Sequence, residues 1–352
     1  MKKSFLALAL IGAFSGAAYA QSSVTIYGLA DIGFQSLDNG NPAGRVNGIQ
    51  SGQSAGSRLG FKGVEDLGGG LKAHFVLEQG IMLDSGNSDQ GRTFGRTTLV
   101  GLTGDFGTVN LGRDKNPTLK FFDSFDPFES AYINNGTGAR GLYFVGGSAT
   151  VAGTNANSGG RTSNSVFYNT PELGGFYAAV QYGFGEAAGD TSAGRSIGLT
   201  AGYKVDALDV AANYVKDNQQ DAKLFTNGKK AWAIAASYNF GVAKPVFIYQ
   251  KSTDDLTFDK KAYTLGVSVP VDTAGKVLAE FTQVKNSTPV GTAGQQVGDA
   301  KQFAIGYDYA LSKRTNLYTS YARLTQDNNS KELAAVAGKN VTEFVAGVRH
   351  KF

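Results

Sequence analysis

A chain of 352 residues without a single Cys has no disulfide staple, thiolate metal site or Cys nucleophile. Charged residues make up 18% and the formal net charge is only +4, too mild for a nucleic-acid-binding face, while a mean hydropathy of −0.18 excludes a helical membrane protein. The 48 Gly are about twice the usual share, a bias toward turns and tight strand positions, and this length accommodates one large all-β barrel as a single unit.

The first element is a leader. Lys2 and Lys3 precede an apolar run over 5–14, and small residues then end in Ala18, Tyr19 and Ala20. That is the pattern of a secretory signal peptide with an A-x-A cleavage site, and the apolar run is too short to span a membrane as a helix. The expected division is therefore a signal peptide at 1–20 and a mature domain at 21–352. Beyond Ala20 the longest apolar run is at 231–236, far below the ~18 residues of a spanning helix. Any membrane crossing must be made by strands.

The mature chain repeats one unit: about ten residues alternating apolar with polar, a short Gly/Asp-rich turn, and a second alternating segment. Over 57–62, Leu59 and Phe61 share one face and Arg58, Gly60 and Lys62 the other. After the turn at 65–70, Leu71, Ala73, Phe75 and Leu77 oppose Lys72, His74 and Glu78, with Val76 as the exception. Tight turns recur at 103–107, 170–174, 205–207, 239–242, 272–275 and 312–315. Longer polar connections lie between them, at 83–92, 116–160, 217–228, 286–299 and 326–338. Seven hairpins supply fourteen strands, and the segments 24–34 and 341–352 bring the expected number to sixteen. Short turns at one end and long loops at the other describe an outer-membrane barrel, with both chain ends at the turn side. Phe61, Phe106, Phe176, Tyr203, Phe240, Phe247 and Phe352, near the turns, would supply an interfacial girdle. A soluble β-sandwich fits less well, because one face of the strands repeatedly carries Lys, Arg, Asp and Glu, which a water-filled lumen tolerates and a packed core does not.

Several segments resemble the general porins of Gram-negative bacteria, in particular the neisserial and betaproteobacterial type. They are the opening Ser23-Val24-Thr25-Ile26-Tyr27-Gly28-Leu29-Ala30-Asp31, the run SRLGFKGVEDLGGGLKA at 57–73, Val100-Gly101-Leu102, the segment 106–113, Asn164-Ser165-Val166-Phe167-Tyr168 and the ending at 347–352. The resemblance implies a sixteen-stranded antiparallel transmembrane β-barrel that assembles as a homotrimer in the outer membrane. It implies contacts with outer-membrane lipid and lipopolysaccharide, and a third loop folded into the pore as an eyelet. There, loop carboxylates face a ladder of basic residues on the wall. The third long connection, 116–160, carries Asp123, Asp126 and Glu129 among Phe121, Phe122, Phe125 and Phe128, so the aromatics would pin the loop while the acids face water. Arg58 resembles the family's eyelet arginine after the first loop, and Arg96 the one that opens the fourth strand. The third basic position is open between Arg113, Arg140 and Arg161. The parity of Leu59 and Phe61 supports an inward Arg58. Around Arg96 the parity is poorer, since Leu99 and Val100 lie on opposite faces.

The expected function is a water-filled channel for passive diffusion of ions and small hydrophilic solutes. Weak anion preference follows from the family and from Lys62, Lys115 and Lys120. The terminal Phe352 is the assembly signal that such barrels present to the barrel-assembly machinery. The alternative is a surface adhesin or structural barrel without an open pore. An enzyme is not expected, because His74 and His350 stand apart from other ligands or nucleophiles. The Gly run at 183–189 has the wrong spacing for a phosphate loop, and the acids at 84–89 and 254–255 fit no EF-hand. No cofactor, metal or nucleic-acid partner is expected.

Overall fold

Strand β1 (Ser23–Asp38) is sixteen residues long and pairs on both sides, and from it the chain winds antiparallel around a closed wall in the computed structural model. The structure describes residues 23–129, 142–143, 160–218, 228–253, 259–287, 298–330 and 332–352; the leader at 1–20 and Arg140 lie outside them. The wall continues with β3 (Arg58–Gly68), β4 (Leu71–Gly80), β5 (Thr97–Gly104), β6 (Gly107–Lys115), β7 (Arg161–Asn169), β8 (Phe176–Gly183) and β9 (Ser196–Val205). It is completed by β10 (Leu208–Asp217), β11 (Lys229–Tyr238), β12 (Lys244–Thr253), β13 (Asp259–Pro270), β14 (Gly275–Asn286), β15 (Ala300–Ala310), β16 (Thr315–Gln326) and β17 (Val341–Lys351). Each strand pairs with the next, and β17 returns to β1 with Asp31 opposite Arg349. Closure leaves no edge, which a wall in hydrocarbon requires because every backbone donor and acceptor must be satisfied internally.

The sixteen wall strands agree with the sequence-based expectation, but there is also a seventeenth. The short β2 (Val46–Ser51) pairs with the upper half of β1 while β3 pairs with its lower half. Two successive partners are possible because β1 runs four residues beyond the predicted end at 34. The tight turns fall where the composition places them. At Gly68, Gly69 and Gly70 all three φ values are positive, at 85°, 59° and 81°. Any other L-residue there would be strained.

Outward positions are the exposed ones: Ile234 and Leu265 are exposed, while Ala233, Ala235 and Thr264 beside them are buried. Of the predicted girdle aromatics, Phe106, Phe176, Phe240, Phe247 and Phe352 are exposed at the turn side, while Phe61 and Tyr203 are half-buried. At the seam, the Gly28 N–H donates to the Phe352 carbonyl at 3.0 Å and the Phe352 N–H to the Gly28 carbonyl at 3.1 Å. The Phe352 ring covers Gly28 so closely that a Cβ there would collide with it.

Candidate functional site

The connection after β6 enters as helix α1 (Pro117–Phe125). Asn116 caps it by accepting from the Leu119 N–H at 2.8 Å, and Pro117 occupies the first turn, where its missing N–H costs nothing. Phe121, Phe122 and Phe125 are essentially fully buried and pack on inward residues of β10–β13, namely Ala211, Ala233, Ala235, Val246, Ile248 and Ala262. Tyr143, farther along the same connection, stacks on Phe122 with centroids 4.2 Å apart and hydrogen-bonds to Thr264. The wall is cut back where the loop touches it. A Cβ would come within 3.0 Å of Pro117 at Gly198, 2.5 Å of Pro127 at Gly266 and 2.8 Å of Phe128 at Gly306. The aromatics therefore anchor the described part of the loop, as the sequence suggests. The apolar run at 231–236 also has its explanation: both faces of β11 are apolar because one meets α1 and the other faces outward.

Across the lumen the inward residues are charged. Arg58 lies opposite Leu29 of β1 and Gly80 of β4, and Glu78 opposite Gly60, so both side chains point inward. Arg96 sits one residue before β5, outside the strand alternation. That is why its parity is poor, yet it reaches inward and its Nε donates to Glu78 Oε1 at 2.7 Å. Arg58 approaches the same oxygen at 3.9 Å, and the Tyr27 hydroxyl donates to Glu78 Oε2 at 3.0 Å. Gly56 keeps the approach open, since a Cβ there would lie 2.5 Å from the Arg96 guanidinium. Arg349 on β17 adds a further inward cation, bonded to Ser54 Oγ at 3.1 Å and Asp308 at 3.4 Å and close enough to Arg58 to act on it electrostatically. The first loop is held beneath this cluster by Asp31. Its carboxylate accepts from the N–H groups of Gln53, Ser54 and Ala55 at 2.7–3.1 Å and from the Tyr318 hydroxyl at 2.5 Å.

The candidate residues separate into groups. Arg58 and Arg96 come together. Asp123 on α1 is paired directly with Lys115 of β6 at 2.6 Å, beside the similar Lys120–Asp114 pair at 2.8 Å, so α1 is strapped to β6 by two ion pairs. Asp126 does not face water. It is 5% exposed, accepts from the Phe128 N–H at 2.8 Å and hydrogen-bonds to Glu280 on β14. The proline-aromatic segment that follows forces Asp126 against the wall, which charge patterning alone cannot reveal. Glu129 is exposed at φ 54° and its N–H donates to the Asp126 carbonyl. Arg113 lies at a bulge in β6, where its Nε donates to the Gly95 carbonyl at 2.8 Å and its Nη1 to Ser163 Oγ at 2.9 Å; Arg92 reaches the same hydroxyl. Arg161 opposes Lys115 in register and acts on it electrostatically, as does Arg96. Of the described candidates for a third basic position, Arg161 thus adjoins the Arg58–Arg96 group, while Arg113 belongs with Arg92.

Glu78, Tyr27, Arg349 and Asp31 were not singled out by sequence. Alternation does place Glu78 on the polar face of β4, but its pairing with two arginines from separate strands is a property of the closed wall. His74 hydrogen-bonds to Asn110 at 2.8 Å, and among the described residues no cluster suited to a metal occurs. An apolar groove of about 710 Å³, lined by residues including Phe176, Ala201, Tyr203, Ala212 and Ile234, engages strands β8–β12 at the turn side, away from the charged cluster.

Comparison with known proteins gives three concordant findings. Residues 7–329 match the family model described as Gram-negative porin. Over the full length of both chains, the sequence is 37% identical to outer membrane porin protein 32 of Delftia acidovorans and 32% identical to an outer membrane porin protein of Bordetella pertussis. Among solved structures, the anion-selective porin from Comamonas acidovorans superposes with a TM-score of 0.79 at 32% identity, covering 94% of this chain and all of that one.

Proposed function

Since this chain belongs to the Gram-negative porin family and is an outer-membrane channel protein rather than an enzyme, we propose that its third loop and basic wall form an eyelet with weak anion preference. The carrying observation is the charge inventory of the inner wall. Arg58 and Arg96 share one carboxylate, Glu78, Arg349 beside them is paired with Asp308, and Lys115 with Arg161 adds further positive charge while Asp123 offsets part of it. These groups stand within reach of one another on the scale of a Debye length, ~8 Å at physiological salt. Low-dielectric walls focus their field on the solution between them. Small anions are favoured there, and polar solutes align their dipoles and pass. The relative from Comamonas, described as anion-selective, supports the same sign.

The reading extends to biogenesis and assembly. Residues 1–20 are removed as a signal peptide and 21–352 form the barrel. Phe352, exposed at the seam, is presented to the barrel-assembly machinery. The mature chain assembles as a homotrimer in contact with outer-membrane lipid and lipopolysaccharide. The test is a planar bilayer under a salt gradient. Step conductance with a reversal potential on the anion side is expected, and Arg58→Ser should move that potential toward cations. A reversal potential unmoved by Arg58→Ser with conductance intact would remove the eyelet assignment.

A further inference from the structure

The inner wall carries a second apolar patch, at the loop ends of β14–β17. Val284, Ala300, Leu324 and Val341 point inward there and are at most 2% exposed. As on β11, an apolar inner face beside a water-filled lumen implies a cover. The cover is the connection between β16 and β17. Its Leu333 and Ala334 turn back into the barrel, and they belong to one continuous buried cluster with this patch and with Phe121, Phe122, Leu142 and Tyr143 of the third loop. The third and last loops therefore share one core, although they lie far apart in sequence.

Beside Leu333 the same segment buries a charge. Glu332 Oε2 accepts from Lys260 Nζ of β13 at 2.8 Å, with the two side chains 2% and 10% exposed. Lys260 shares the inward face of β13 with Ala262 and Thr264, so the pair reaches from the loop after β16 across β15 and β14. Among the described residues it is the one ion pair between this loop and the wall. Other contacts hold the loop to its own base and to the rim: the Glu332 N–H donates to Gln326 Oε1, the Gly338 N–H to the Ser330 carbonyl and the Ala335 N–H to the Asn39 carbonyl, each at 2.8 Å. The inward position is also costly. Leu333 sits at φ 58°, a left-handed backbone that a bulky L-residue adopts only under constraint. Glu332 Oε1 is buried without a hydrogen-bond partner among the described residues, which offsets part of what the ion pair contributes.

We infer that Lys260 and Glu332 are positioning residues whose ion pair latches the last loop inside the lumen as a flap, and that the flap and the third loop open as one coupled unit. The inference rests on the outer-membrane porin reading. With the latch closed, the loop covers the inner wall of β14–β17 and solution is confined to the rest of the loop-side vestibule. With it open, the strain at Leu333 is relieved and the vestibule widens. The shared core then loses Leu333 and Ala334, so the anchorage of the third loop weakens too.

The test uses the folded full-length chain in planar bilayers. Glu332→Gln and Lys260→Met should each raise single-channel conductance and add switching to a higher level, because each leaves one buried member of the pair unmatched. Lys260→Arg keeps the pair and should retain the wild-type level. Coupling is read from Phe122→Ala/Glu332→Gln, whose conductance gain should fall short of the sum of the two single gains, as for groups in one packed unit. Since the chain has no Cys, Ala334→Cys reports the position of the loop without touching the pair. A water-soluble maleimide should label it more slowly than Ala337→Cys on the exposed part of the same loop, and Glu332→Gln should remove the difference. Folded Glu332→Gln and Lys260→Met channels at wild-type conductance, or Ala334→Cys labelled as fast as Ala337→Cys in the otherwise native chain, would overturn the flap. Additive gains would overturn its coupling to the third loop. Silent bilayers with the unaltered chain refute the channel reading itself, and the labelling rates then still decide where the loop lies.

Discussion

On β3 and β4 the inward positions include Arg58, Lys62, His74 and Glu78, whereas on β11 they include Ala231, Ala233 and Ala235. Both sets occupy the same alternation in the same closed wall. The difference lies in what each inner surface meets. The first faces solution, and its charges are held by one another and by the first loop. The second faces α1, and its small apolar side chains accept Phe121, Phe122 and Phe125. A barrel interior is thus polar only where water remains. Where a loop covers the wall, burying charge without a partner would be costly, and the strand becomes apolar on both sides.

The largest expected effect comes from breaking the apolar half. Phe122 is fully buried between Tyr143 and the inner wall, and Phe122→Ala should weaken the loop's anchorage by about 3–5 kcal/mol. Single-channel conductance should rise and become noisier while the heat-modifiable mobility of the barrel on SDS gels stays unchanged. Conductance identical to wild type would mean that α1 does not narrow the pore.

The charged half is sharpened by Glu78→Gln. This substitution leaves Arg58 and Arg96 without their shared carboxylate, so the reversal potential in a salt gradient should move toward anions. Arg96→Ser should move it toward cations. Two shifts of the same sign would show that the cluster acts through shape rather than charge.

The smallest effects belong to the contact between the halves. Asp123→Asn should shift the reversal potential toward anions, though less than Glu78→Gln, because the Asp123–Lys115 pair is more exposed than the Glu78–Arg96 pair and solvent screens its charge more. Asp126→Asn should leave it nearly unmoved, since Asn can still hydrogen-bond to Glu280 and to the Phe128 N–H. An Asp126→Asn shift as large as that of Glu78→Gln would place this carboxylate in contact with the conducting solution.

Much of the architecture was legible in the residues. Alternation is a local property with period two, so Leu59 and Phe61 suffice to turn Arg58 inward, and Gly68, Gly69 and Gly70 mark a turn before any partner strand is known. Strand count, turn side and the outward aromatics near the turns follow from the same local rules. Arg96 escaped them because it stands just before its strand, and Arg113 because a bulge in β6 breaks the period.

By itself, then, the sequence determined the class of structure, a closed antiparallel barrel with a polar inner face and long loops at one end, because those features are written in spacing between near neighbours. Tertiary structure alone decided which charges meet. Glu78 finds Arg96 and Arg58 through the closed wall, Asp126 finds Glu280 only once the segment after α1 packs against the inner wall, and lysines more than twenty residues apart face one another only once β13 and β14 are in register. Electrostatic energy depends on distance in space, and for residues distant in sequence that distance is set by strand register and loop packing.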